Sequence, residues 1–145
     1  MNFTWTPEHA LGHERIDDDH RHLFALAAKV VEVFTISTDS QQAQQAFDAL
    51  LQFARTHFAL EENLMQSAGY PDFAHHANVH NALLHELITA QRRLQKGLLR
   101  QPKKLTSFLL DWLTIHMDLS ERELVEFLNR PAIHANAPKE GALPP

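Results

Sequence analysis

Cysteine is missing from all 145 positions of this chain, which excludes a disulfide framework, a thiolate zinc site, an iron–sulfur cluster and a cysteine nucleophile together. Whatever chemistry the chain performs is nitrogen and oxygen chemistry. Basic residues are outnumbered by acidic ones, 13 against 18, for a formal net charge of −5, and no Lys/Arg-rich run is present. Without a positive field to meet phosphates, no nucleic-acid partner is expected. Long apolar runs are missing too. Nothing reaches the roughly 18 uninterrupted apolar residues that a membrane span needs, and the opening MNFTWTPEHALGHE has neither the basic start nor the apolar stretch of a secretory leader. The expectation is a soluble, cytoplasmic protein with no membrane partner. Glycine is scarce, at four residues, so the breaks in the chain are few.

The breaks fall at Thr38-Asp39-Ser40, Gly69-Tyr70-Pro71-Asp72, Gly97 to Pro102, and Asn129-Arg130-Pro131. Between them lie four segments with helical apolar periodicity, and caps are expected at Asp17 or Asp18, at Ser40 and at Asp72. The stripes are Leu23, Phe24, Ala27, Val30, Val31, Phe34 in the first; Phe47, Leu50, Leu51, Ala54, Phe58, Leu64, Met65 in the second; Phe73, Leu83, Leu84, Leu87, Leu94 in the third; and Leu105, Leu109, Trp112, Leu113, Met117, Leu124, Leu128 in the fourth. No segment reads as a strand. The pattern predicts an all-α, antiparallel up-down-up-down four-helix bundle over residues 1–130, with residues 1–16 as a non-helical arm pinned by Phe3 and Trp5. Residues 131–145, with four prolines, read as a flexible tail through which a protein partner could be met. At this length one domain removes roughly two thirds of its unfolded surface from water, so a real core is available.

Against the absences stands one excess, eleven histidines. The spacings that matter are His57-x-x-x-Glu61, His76-x-x-x-His80, and His116 followed by Glu121, with His20 on a fourth segment. A single His-x-x-x-His is weak evidence, since roughly one is expected by chance in such a chain. Placement on the stripes is stronger. Glu61 continues the apolar series of the second segment between Phe58 and Leu64, where an unpaired carboxylate costs several kcal/mol unless a cation or strong donors compensate. His20, His76, His80 and His116 likewise extend the stripes of their own segments, while Glu121 lies on the flank of its stripe, where a solvated glutamate is the competing reading. Height gives a second test. In an antiparallel bundle the start of helix one, the end of helix two, the start of helix three and the end of helix four are one end, and at about 1.5 Å per residue all seven residues lie within roughly 15 Å of it. His9, His13, His22, His75, His85 and His134 fall off these lines and read as solvated.

Five imidazoles and two carboxylates without thiolate suit iron, manganese, zinc or copper. Seven donors exceed what one tetrahedral ion takes and suit two ions of higher coordination sharing bridges. Di-iron bundles of the ferritin type use four glutamates and two histidines; a site with fewer anionic donors stabilises high-valent metal less, which favours reversible binding of dioxygen over oxidation of a substrate.

Over residues 5 to about 128 the chain resembles the bacterial hemerythrin family, through Trp5, Gly12, Ile16-Asp17 leading to His20, His57-Phe58 with Glu61-Glu62, Met65, Gly69-Tyr70-Pro71, His76 with His80, and Trp112-Leu113 with His116. The resemblance implies a non-haem di-iron centre that binds dioxygen reversibly. It further implies that His76, His80 and His116 hold one iron, that His20 and His57 hold the other, and that Glu61, Glu121 and a hydroxide or oxide bridge the two. Trp112, Leu113 and Met117 would wall the oxygen pocket. Where the family has an aspartate five residues after the fourth-helix histidine, this chain has Glu121, and where it commonly has isoleucine, Met117. A non-enzymatic role in oxygen storage, delivery or sensing is the first expectation, and a di-iron enzyme or scavenger of peroxide or nitric oxide the alternative.

Overall fold

A computed structural model describes residues 3–37, 41–117 and 119–130, and these contain helices and no strand. A 3-10 turn at Pro7–His9 precedes α1 (Glu14–Ile36), α2 (Gln41–Ala68), α3 (Phe73–Gln95), α4 (Pro102–Met117) and α5 (Leu119–Leu128). The fourth amphipathic segment is thus two helices on either side of residue 118, which lies outside the described residues. In the bundle α2 packs against both α1 and α3, and α1 packs against α4. Trp112 in α4 closes the ring by donating its indole N–H to the Leu83 carbonyl of α3, 2.9 Å away.

The stripes read from the sequence become the core. Leu23, Ala27, Val30, Phe34, Phe47, Leu50, Ala54, Leu87, Leu105 and Leu109 are wholly removed from solvent, and each large side chain so buried stabilises the fold by roughly 1.5–3 kcal/mol. A second, smaller apolar cluster of Ile16, Met65, Tyr70, Leu124 and Val125 closes the end of the bundle where α1 begins and α2 ends. Between these two hydrocarbon layers lies the polar group described below.

The cap of α1 differs from expectation. α1 begins at Glu14, earlier than Asp17, because His13 serves as its N-cap and its side chain accepts the Ile16 N–H at 3.3 Å. The arm is therefore shorter than sixteen residues, and Asp17 has another task. Its nearly buried carboxylate folds back and accepts the N–H of Leu11 at 2.8 Å and of Gly12 at 3.2 Å. Gly12 takes φ +103°, a region that side-chain-bearing residues rarely enter, and its carbonyl accepts from Asn129 Nδ2 at 3.1 Å. The arm is so tied to the ends of both α1 and α5. At α3 the N-cap is Asp72, but its side chain makes no capping bond. The expected cap at Ser40 and the tail 131–145 lie outside the described residues. Phe3 and Trp5 do pack on the main core, and Trp5 lies under the Arg21 guanidinium at 4.2 Å.

Candidate metal centre

All seven residues singled out by spacing and height meet in one place. His20, His57, Glu61 and Glu121 are wholly inaccessible, and His76, His80 and His116 nearly so. Glu121 is thereby moved from the flank to the interior. On an unbroken α-helix, residues five apart point about 140° from one another, which is why the sequence left its orientation open. Of the other histidines, His22, His75 and His85 are exposed and His9 and His13 half-buried; His134 lies outside the described residues.

The donor atoms form two overlapping groups, His20, His57, Glu61, His116 and Glu121 on one side and Glu61, His76, His80 and Glu121 on the other, each with all its atoms within 4.8 Å of one another. Both carboxylates straddle the groups. Glu61 sets Oε1 2.9 Å from His80 Nε2 and 3.5 Å from His76 Nε2, and Oε2 2.7 Å from His57 Nε2. Glu121 sets Oε1 2.9 Å from His20 Nε2 and 3.5 Å from His116 Nε2, and Oε2 3.4 Å from His76 Nε2. Metal bonds of about 2.1 Å put neighbouring ligands on one ion about 3 Å apart, so these separations match the edges of two coordination polyhedra with Glu61 and Glu121 in common. Hydrogen bonding alone does not satisfy the group: Glu61 Oε2, Glu121 Oε2 and His20 Nδ1 are buried and have no hydrogen-bond partner. Buried carboxylate oxygens left in that state are costly, and a shared cation satisfies them. The donor set fits two metal ions.

The resemblance assigns His116 to the same iron as His76 and His80. His116 Nε2 lies 2.9 Å from His57 Nε2 and groups with His20 and His57, away from His76 and His80. The physical reason is that hydrogen bond together with edge-on packing of His116 against both His20 and His57, at 5.1 and 5.0 Å between ring centres.

Charge follows the same arrangement. Burial opposes the charge on His57, but Glu61, Asp19 and Glu121 together outweigh it and raise the imidazole well above its ordinary 6.5. His76 is raised to about 9 because Glu121 and Glu61 overcome its own desolvation. Burial drives His116 the other way, to about 3. Glu61 is held well below the usual carboxylate range, its desolvation being offset chiefly by His57. The pocket therefore favours positive charge opposite its two carboxylates.

Two carboxylates that sequence reasoning did not single out as site residues complete the centre. Asp19 Oδ2 lies 2.9 Å from His57 Nδ1, and Glu62 Oε2 lies 2.9 Å from His80 Nδ1. Each directs the opposite ring nitrogen, Nε2, into the site. The signal available was adjacency, since each acid directly precedes or follows a candidate donor, His20 or Glu61, but adjacency does not say which ring it meets. On the side toward the main core, Phe58 stacks on His80 at 4.1 Å and 9°, and Trp112 on His116 at 6.1 Å and 26°. Leu113 and Met117 are buried and line a cavity of about 310 Å³; Trp112, whose N–H is engaged by Leu83, does not line it.

Residues 11–128 match the family described as Hemerythrin HHE cation binding domain. The chain is 32% identical to a bacteriohemerythrin of Methylococcus capsulatus over 101 residues, covering 70% of this chain and 76% of that protein. With a bacteriohemerythrin of Clostridium acetobutylicum it shares 23% identity over 128 residues, 86% of this chain and 99% of the other. A crystal structure of wild-type hemerythrin superposes with a TM-score of 0.77 at 27% identity, over 86% of this chain and 96% of its own.

Proposed function

We propose, starting from the fact that the chain belongs to the hemerythrin family, that its buried centre holds two iron ions and binds dioxygen reversibly without acting as an enzyme. The observation that carries this reading is the straddling of the site by Glu61 and Glu121, each with one oxygen toward His57 or His20 and the other toward His80 or His76. His20, His57 and His116 on one side and His76 and His80 on the other are the proposed ligands, with the two glutamates and a hydroxide or oxide as bridges. The additional methylene of Glu121 is accommodated: one of its oxygens reaches His20 and the other His76.

An iron pair held by these residues would supply the two electrons that reversible dioxygen binding requires. The chain's own residues make that exchange reversible. Asp19 and Glu62 fix the rings of His57 and His80, so the donors are in place before the metal arrives and need little reorganisation. Phe58 and Trp112 lay ring faces on His80 and His116, and with buried Leu113 and Met117 they keep bulk water from the donors. The sharing of two carboxylates among five imidazoles leaves the centre with little anionic charge, which disfavours the higher metal oxidation states that cleave the O–O bond.

Iron content and an absorption spectrum test the reading together. The purified chain is expected to carry two iron per chain, to turn coloured when its anaerobically reduced form meets air, and to bleach again on degassing. Colour that never reverses, or sustained consumption of peroxide or nitric oxide beyond one equivalent per centre, would replace binding with the enzymatic alternative.

A further inference from the structure

The end of the bundle away from the metal centre, where α1 and α3 finish and α2 and α4 begin, is charged unlike the rest of the molecule. Six of the thirteen basic residues, Arg92, Arg93, Lys96, Arg100, Lys103 and Lys104, lie there, and no acidic residue falls between 87 and 110. They occur singly or in pairs, so no continuous run marks them; the turn from α3 to α4 gathers them. All six are exposed, and none has an ion pair among the described residues, whereas Arg15, Arg21 and Lys29 on α1 each meet a carboxylate. Of the described acids on the neighbouring ends of α1 and α2, Glu32 pairs with Lys29 and Asp48 accepts from Gln91. The net charge of −5 thus conceals a positive tip on a chain whose remainder holds seven basic residues against eighteen acidic.

The same tip exposes hydrocarbon. At the end of α3 Gly97 takes φ +71°, its N–H reaches the Leu94 carbonyl at 3.1 Å, and the Leu98 N–H reaches the Arg93 carbonyl at 2.9 Å, the bonds that stop a helix and turn the chain. An apolar residue in the place of Leu98 frequently folds back on its helix. Here Leu98 is 59% exposed while its neighbour Leu99 packs on the core, and Arg100 Nε donates to the Gly97 carbonyl at 2.8 Å, which holds its guanidinium beside the leucine. Ile36, closing α1 at the same end, is 81% exposed. We propose that this tip docks on the face of an anionic lipid bilayer, with the cations on the headgroups and Leu98 and Ile36 entering the acyl boundary. No helix among the described residues is long and apolar enough to cross a membrane, so the contact is with the surface, where clustered Lys and Arg beside exposed aliphatic side chains bind. Charge alone would also suit a nucleic acid, but a phosphate backbone has no use for two exposed aliphatic side chains, and the turn 96–101 offers no aromatic ring for a base to stack on. The acidic remainder is repelled by the same surface, which leaves the metal end facing outward.

Cosedimentation of the full chain with vesicles tests this and needs no metal. Vesicles of phosphatidylcholine and phosphatidylglycerol in about a three-to-one ratio should retain the chain, vesicles of phosphatidylcholine alone should not, and added salt should weaken the retention. Lys103→Gln with Lys104→Gln should weaken binding about thirtyfold, since each charge near an anionic surface is worth about fivefold. Arg55→Gln with Arg130→Gln removes the same charge from exposed positions away from the tip and should leave binding near that of the native chain. Leu98→Ser should abolish the part of the binding that survives raised salt. These side chains are exposed, and circular dichroism checks that each variant keeps its helices. Failure of the native chain to bind the mixed vesicles overturns the proposal, as does an equal loss in the two double variants. Unchanged binding in Leu98→Ser, or retention on a DNA duplex with none on vesicles, overturns the lipid as the partner.

Discussion

The two halves of the bundle interior are equally dry and chemically opposite. Toward the ends of α1 and α3 the core is Val30, Phe34, Phe47, Leu87 and Leu105, wholly buried hydrocarbon; toward their beginnings it is five imidazoles and two carboxylates, buried to the same degree. The first half lowers free energy by leaving water. The second half raises it, because groups that water solvates well have been brought in with three polar atoms left unpartnered. The apolar half, with the small cluster of Ile16, Met65, Tyr70, Leu124 and Val125 beneath the site, supplies the stability that holds the strained half in place. The two halves should therefore fail in different ways when altered.

The largest contrast is expected from one substitution in each. Glu61→Ala removes a carboxylate that faces both groups of donors and should lower metal affinity by more than the 10–100-fold typical of losing a supporting residue, leaving a helical chain with little iron by metal analysis. Leu87→Ala should do the reverse, costing about 2–5 kcal/mol of stability in a denaturant titration while the iron content stays near that of the native chain. Equal losses of stability and metal in both variants would break the distinction between the halves.

Metal removal sharpens it next. A ligand at a thousandfold its dissociation constant stabilises the fold by about 4 kcal/mol, so chelation should lower the melting temperature without abolishing the cooperative transition, because the apolar half remains intact. Asp19→Ala and Glu62→Ala follow. Each frees the Nδ1 of a proposed ligand, His57 or His80, and should weaken iron binding about 10–100-fold while circular dichroism stays unchanged.

The pH dependence is the smaller and more selective test. His76 is held protonated up to about 9 and must release its proton to a metal, so iron affinity should rise as pH rises toward 9, about tenfold per unit for each proton displaced. In the metal-free chain the signs oppose one another. The raised His76 contributes stability in full below its unfolded value near 6.5, and that contribution is lost as pH climbs through 9. His116, pushed down to about 3, contributes stability above 6.5, and this is lost as pH falls toward 3 because the unfolded chain then binds the extra proton. Metal-free denaturation curves taken across that range should thus decline at both ends, and a curve flat on the acid side would contradict the burial of neutral His116.

Much of this was legible before any coordinates. The apolar stripes fixed four helical segments and their faces, and Glu61 announced itself because it continues the series of Phe47, Leu50, Ala54 and Phe58. Antiparallel topology then placed His20, His57, His76, His80 and His116 at one end, since periodicity and connection order are properties of the chain alone. What periodicity cannot express is anything that depends on side-chain reach between helices. Whether Glu121 faces in or out was undetermined at a five-residue spacing, and the interior position it takes depends on how α4 and α5 meet α1. The pairing of Asp19 with His57 and of Glu62 with His80, and the use of Asp17 as a clasp for the arm instead of a helix cap, rest on distances of about 3 Å that appear only once the chain is folded. The amino-acid order thus determined which faces had to be dry and which donors shared a level; only packing the helices together decided which atoms met, because that depends on rotamers and interhelical separations that no linear spacing encodes.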